Sequence, residues 1–370
     1  MNPPPTTIQP GLAIVFDSGD DAAFTHSALA AHHPATGRIT LHPGPGTTSD
    51  TALAHDLILA LGKPAYIPGR FPHGRPPLWE AAAAWTTALA VTRLTVLRAH
   101  LLDERRLKRI LTLWRQTAIH LTLVVHRPRL TAVLDRAVAS VPYTRTTTLA
   151  AARALYGDEP APQTDAEPPA AVAVGPGVGP GRWLTLSSLD RLVSYDSPSP
   201  CTGPCSPGLI DWKHRPAPTP LTPAQAEEAT RRIHTATAHP QLAAALAATL
   251  FTGASFQQLA TARSDDFHDD PALLALHDQA RFTDGCATHP VPPWATVFLR
   301  AAARYAHLTG TGHLLASPGE RPAVLRLAET AGLRPPQPPG AERAGRNGAV
   351  VWDWREVREA HGYWPVPASR

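Results

Sequence analysis

Lysine is almost missing from this chain of 370 residues: of 34 basic residues, only Lys63, Lys108 and Lys213 are lysines. With 41 prolines and abundant alanine, that is the bias left by GC-rich coding, so raw counts of Ala and Arg carry no functional weight. Cysteine is scarce too. Three thiols exclude a disulfide-built fold and fit a reducing compartment. Cys201 and Cys205 sit in CTGPC, but a metal site wants two further ligands at paired spacing. His214 is near and no second pair is evident, while Cys286 stands alone, so a loop with incidental cysteines is expected and no metal or cofactor. No stretch is long and apolar enough to span a bilayer, and MNPPPTTIQP lacks the charged-then-apolar pattern of a leader. A cytoplasmic protein without a membrane partner is the expectation. Also missing are an HExxH pair, a G-x-S-x-G elbow and a Ser–His–Asp order.

What is present is uneven charge. The net charge is only +4. Between Val91 and Ala150, however, eleven Lys/Arg face three Asp/Glu, so that segment alone carries +8. It is also the clearest structural signal. Leu94 to Leu97 and Leu121 to Val125 are short β-rich runs, and between them Leu107, Ile110, Leu111 and Trp114 recur at helical spacing. Two such strands joined by a helix predict a parallel βαβ unit with a right-handed crossover. Arg105, Arg106, Lys108, Arg109 and Arg115 are left for the other faces of the helix. There they suit a DNA backbone, or the solvated outer face of an ordinary α/β domain.

Strand and helix alternate through the first 155 residues, from GLAIVF at Gly11 onward, which predicts a P-loop-like parallel sheet with flanking helices. Residues 156–220 turn to Pro, Gly and Ala with one short island (RWLTLSSLDRLV), as in a linker. From 221 to 334 the pattern is helical, beginning at a Thr222-Pro cap. The end, 335–370, is a Pro-rich loop and a tail bearing Trp352, Trp354, Tyr363 and Trp364, which suits docking on a protein partner or on its own domain.

The order of elements in the first two fifths resembles the AAA-type ATPases that accompany transposases. On that template GLAIVFDSGDDAAF occupies the phosphate-loop position and LTVLRAH the acidic Walker B position. The resemblance implies nucleotide chemistry, yet the residues depart from it. A working loop needs backbone N–H groups around the phosphates, a Lys and a Ser or Thr hydroxyl for Mg²⁺. Here Asp17, Ser18 and Gly19 are followed by Asp20 and Asp21, and no lysine precedes Lys63. Arg98 and Ala99 replace the carboxylates at the second site. Asp103 and Glu104 follow at a helix start, where capping explains them. A non-hydrolysing relative is implied; an unrelated α/β domain is the plain alternative.

LAAALAATLFTGASFQQLATARSDDF resembles the first catalytic box of tyrosine recombinases. Thr252, Gly253, Gln258, Leu259, Ala260, Arg263, Asp265 and Asp266 fall where that pattern expects them, but Ser255 stands at the catalytic arginine position. The later His-x-x-Arg helix is replaced by RPPQPPGAERAGRNG, and neither Tyr305 nor Tyr363 has the nucleophile's context. TGASFQQLATAR also reads as a helix-turn-helix, with Gln257, Gln258, Thr261 and Arg263 able to reach base edges. A generic helical hairpin is the bland alternative. Together these readings predict a non-catalytic DNA-binding or assembly protein of a mobile element or plasmid in a GC-rich bacterium. A nucleotide-dependent enzyme with a divergent phosphate loop and a protein-interaction scaffold are the alternatives.

Overall fold

The computed structural model describes residues 11–68, 71, 74–157, 183–184, 186–193, 198–203, 205–213, 216–279 and 284–335. The chain divides into two compact units, 1–65 with 77–169 and 66–76 with 170–370. The second unit therefore takes in residues that the sequence reading gave to a linker, together with a short excursion out of the first unit. The Trp-rich tail and His214 lie outside the described residues.

The first unit runs β1 (Leu12–Phe16), α1 (Ala22–Ala30), β2 (Arg38–Leu41), α2 (Asp50–Ala60), α3 (Leu78–Ala88), β3 (Arg93–Val96), α4 (Glu104–Thr117), β4 (His120–Val125), α5 (Ala132–Val138), β5 (Thr144–Thr146) and α6 (Leu149–Tyr156). Its five strands form one parallel sheet in the order β2-β3-β4-β1-β5. Parallel strands covered by helices on both faces read as continuous apolar runs. LAIVF and HLTLVV do so, and every residue of β1 is buried. Leu107, Ile110, Leu111 and Leu113 bury the inner side of α4, each contributing about 1.5–3 kcal/mol. Asp103 caps α4 by accepting from Arg106 N–H, as its place before the apolar repeat predicts. At the far end of α6, Arg93 donates to the carbonyls of Ala154 and Leu155, and Arg38 to that of Gly157, satisfying a helix terminus with cations.

The strand order fixes where a ligand site belongs. From β1 the chain crosses over β4 and β3 to reach β2, whereas from β4 it crosses β1 to reach β5. Right-handed crossovers then send α1 and α5 to opposite faces. The crevice opens where those two connections part, beyond the C-terminal ends of β1 and β4. The residues immediately after those strands are Asp17 and His126.

The second unit is not helical alone. It holds β6 (Gly208–Leu209), α7 (Pro223–Ala236), α8 (Pro240–Thr252), α9 (Phe256–Leu259), β7 (Phe267–Asp269), β8 (Ala272–Leu276), β9 (Ala287–Pro290), α10 (Pro293–Thr309) and α11 (Arg321–Thr330). Its strands make a mixed sheet in the order β6-β9-β8-β7. α8 is apolar around its whole circumference and accordingly central, packed by α7, α10, α11 and the 3-10 turn at Ser187–Val193. Leu189 and Leu192 of that turn are buried, so the island is part of this core and not of a spacer. The Thr222 cap of α7 forms with Gln225 as a reciprocal box, as its sequence position predicts.

Candidate functional site

Beyond the ends of β1 and β4, His126 Nδ1 lies 2.7 Å from Asp17 Oδ2 and 3.0 Å from Asp20 Oδ1. Asp17 and His126 are buried, and Asp20 is exposed. Three N–H groups of the turn linking β1 to α1 are bonded within the protein. Asp17 N–H bonds Val125 O, Asp20 N–H bonds Asp17 O, and Asp21 N–H bonds Asp17 Oδ1. Asp21 then caps α1 by accepting from Ala23 N–H, so a carboxylate occupies the helix N-terminus where a phosphate loop would present its cradle. Ser18 and Gly19 are exposed, and a Cβ on Gly19 would meet nothing within 4 Å. That glycine makes no close backbone approach; the left-handed residue of the turn is Asp20, at φ 49°.

Arg98 follows β3, also left-handed at φ 52°, and its Nη2 stands 3.5 Å from Asp20. His100 Nδ1 accepts from the His126 backbone N–H at 3.4 Å. Burial first, then His126, Arg127 and Arg98, hold the His100 ring below its ordinary pKa, against the opposing pull of Asp20. His42 is lowered by burial and then by Arg98 and His126. The crevice thus offers two carboxylates and an imidazole, whose ligand atoms lie within 4.8 Å of one another, edged by one guanidinium. Such a set suits a cation or a hydroxyl-bearing ligand and opposes a triphosphate. Lys63 does not help with phosphate. It follows α2 and is buried, with its Nζ 3.3 Å from the centre of the Trp85 ring.

The basic helix divides into two roles. Arg106 is largely internal: it donates to the carbonyls of Thr47 and Leu101 and sits 3.3 Å from Asp103. Arg105, Lys108, Arg109 and Arg115 are exposed. Arg105 and Arg109 share a single carboxylate, Asp50, at 3.1 and 3.7 Å. On the adjoining helix α5, Arg136 is exposed, as are Arg127 and Arg129 in the turn before it. Glu104 and Asp135 are exposed on the same two helices, and with Asp50 they are outnumbered by these basic residues.

In the second unit, three of the four residues read as able to reach base edges are otherwise engaged, Thr261 among them, its hydroxyl donating to the Gln258 carbonyl and accepting from the His277 N–H. Gln258 is buried, accepts from Ser255 N–H in a capping box around the single-turn α9, and donates to Asp278. Four residues are too few for a recognition helix, and Ser255, at the recombinase arginine position, serves as a cap. Gln257 is half-buried. Arg263 donates to the carbonyl of Cys201 at 2.8 Å and approaches its sulfur at 3.4 Å.

That contact leads to a constellation the sequence reading missed. Cys201, Cys205, His277 and Cys286 place their ligand atoms within 4.8 Å of one another. His277 Nδ1 is 3.3 Å from Cys201 Sγ and 3.0 Å from Cys205 Sγ, and the two sulfurs are 3.4 Å apart. Neither an incidental loop nor a lone Cys286 describes this arrangement. The second pair is His277 and Cys286, separated by nine positions and delivered by the end of β8 and the approach to β9. A histidine closing an apolar strand shortly before a cysteine was the available signal; the 72 positions between Cys205 and His277 hid it.

Comparisons with family models, curated proteins and solved structures return no match to this chain.

Proposed function

We propose that the chain is a non-catalytic DNA-binding or assembly protein of a bacterial mobile element or plasmid, and that its first unit meets the phosphate backbone. The observation that carries this reading is the exposed cationic side chains of α4 and α5, Arg105, Lys108, Arg109, Arg115 and Arg136, which outnumber Glu104 and Asp135 on the same helices together with Asp50. Phosphate contacts of this kind give sequence-independent, salt-sensitive affinity. The β1–α1 turn adds support, because the N–H groups of Asp17, Asp20 and Asp21 are already bonded within the protein and its carboxylates repel nucleotide phosphates. A P-loop ancestry of the first unit and a recombinase ancestry of the second belong to the same proposal. The test is a mobility shift of the full chain on duplex DNA at low and high salt. It is repeated with Arg105, Lys108, Arg109 and Arg115 replaced by Ala. Retarded DNA at low salt that the quadruple variant no longer retards supports the reading; no retardation at low salt rejects it.

One observation favours a second reading, a small ligand bound at the crevice. Asp17 and His126 occupy the switch point, where open α/β sheets bind their ligands. The nearby carboxylates favour a cation or a hydroxyl over a triphosphate. Thermal stabilisation by Mg²⁺ alone, and none beyond it from ATP, is the outcome this reading requires.

A further inference from the structure

We infer that Cys201, Cys205, His277 and Cys286 form a structural zinc site in the second unit. Tetrahedral zinc with Zn–S near 2.3 Å and Zn–N near 2.0 Å sets its ligand atoms roughly 3.5–3.8 Å apart. The observed 3.4 Å between sulfurs and 3.0–3.3 Å from sulfur to Nδ1 are close to those edges. The sulfur separation is also far beyond the length of about 2.05 Å of a disulfide, and all three cysteines are free. Three thiols and an imidazole are soft and borderline donors, the set that selects zinc over magnesium or calcium.

The surroundings are built for the same purpose. His277 turns Nδ1 towards the sulfurs, and its Nε2 faces Asp266 Oδ2 at 2.9 Å, although off the line of a well-directed hydrogen bond. A carboxylate behind a ligating histidine fixes the ring and raises its basicity. Asp266 is itself held by Arg263 N–H at 2.6 Å, and the His277 backbone N–H donates to Thr261 Oγ1 at 2.9 Å. Three thiolates and one imidazole would leave a bound Zn²⁺ with a net charge of −1. The Arg263 guanidinium beside Cys201 Sγ offsets it. The segment bearing Thr261, Arg263 and Asp266, read from sequence as the remnant of a recombinase box, thus forms the outer shell of this centre.

Four protein ligands leave no open position for water or substrate, so the ion is structural and not catalytic. Its mechanical effect follows from the chain. The loop bearing Cys201 and Cys205 has little regular structure, and Ser199 N–H to Asp278 and Gln279 N–H to Ser199 O tie it to the end of β8. Zinc would join that loop to β8 and to the approach to β9 at one point, closing long segments that packing alone holds weakly.

The experiment is elemental analysis of the full chain purified without chelator, followed by cobalt substitution. The inference expects about one zinc per chain, retained through dialysis, and intense tetrahedral Co²⁺ absorption with a thiolate charge-transfer band. Cys286→Ser should lose the metal. Should that variant fail to fold, the wild-type zinc content and cobalt spectrum still decide the matter. Chain with no more zinc than its buffer and no thiolate–cobalt band overturns the inference, as does a Cys201–Cys205 disulfide in the freshly purified protein.

Discussion

His126 Nδ1 and Asp17 Oδ2 meet at 2.7 Å across the ends of two adjacent parallel strands, both side chains almost wholly buried. The pair joins β4 to the turn that starts α1, because the other oxygen of Asp17 accepts from Asp21 N–H. Asp17→Ala leaves a buried imidazole nitrogen and a backbone donor without that carboxylate, which costs about 1–3 kcal/mol. Asp17→Asn keeps an acceptor and should recover most of the loss. Urea denaturation of the two variants checks both halves. Equal stability of Asp17→Ala and the parent would remove the structural role given to this pair.

His239 supplies a pH dependence. It stands at the N-cap of α8, its ring packed with Phe71 and Tyr305, and burial lowers its pKa to about 4 against a small opposing effect of Glu320. The folded state thus binds its proton later than the unfolded state, whose pKa is near 6.5. Between those values the unfolded chain carries more protons, so stability falls as pH drops from 6.5 to 4. The full effect is on the order of 3 kcal/mol. His239→Asn removes the titrating ring at an N-cap where the histidine side chain makes no cap bond, and should flatten that slope in denaturation series run from pH 7 to pH 4.

Lys63 is expected to oppose folding. Burial pushes its ammonium well below the ordinary pKa, with the Trp85 face as partial compensation. A base lowered in this way penalises the folded state at low pH, and the penalty is relieved as pH rises towards 10.5. Lys63→Met keeps the shape without the charge. It should raise stability at pH 7 and remove the upward trend above it. A destabilised variant would show that the ammonium has a favourable role in this core.

Much of the first unit was legible because its signals are local. The β-rich runs of β1 and β4, the apolar repeat of α4 and the cap at Asp103 each depend on a few neighbouring residues, as does the Thr222 cap in the second unit. The small sheet of the second unit was harder to see. Phe267–Asp269 and Ala287–Pro290 are three and four residues long and carry no alternation, so their pairing arises from tertiary context. Sites suffered most. Asp17 was legible as an obstacle to phosphate but not as a partner of His126, 109 positions away. Gln258 and Arg263 looked like readers of bases because sequence reports polarity and spacing without reporting which polar groups already have protein partners.

The contrast between Arg106 and its neighbours separates folding from binding. Arg106→Ala removes donors to the carbonyls of Thr47 and Leu101 and should lower stability. Lys108→Ala, on the exposed side, should leave stability within about 0.5 kcal/mol of the parent. A loss of stability in Lys108→Ala comparable to that of Arg106→Ala would contradict the division of roles along α4.

The most direct test of binding through α4 is the salt dependence of duplex DNA affinity, measured by fluorescence anisotropy for the parent and the Arg105/Lys108/Arg109/Arg115 quadruple alanine variant. Each lost phosphate contact flattens the plot of log Kobs against log salt by about 0.9. Four contacts therefore predict a slope shallower by roughly 3–4 in the variant, with weaker binding at every salt concentration. A parent that binds with the same slope and affinity as the variant would contradict a DNA interface on this face.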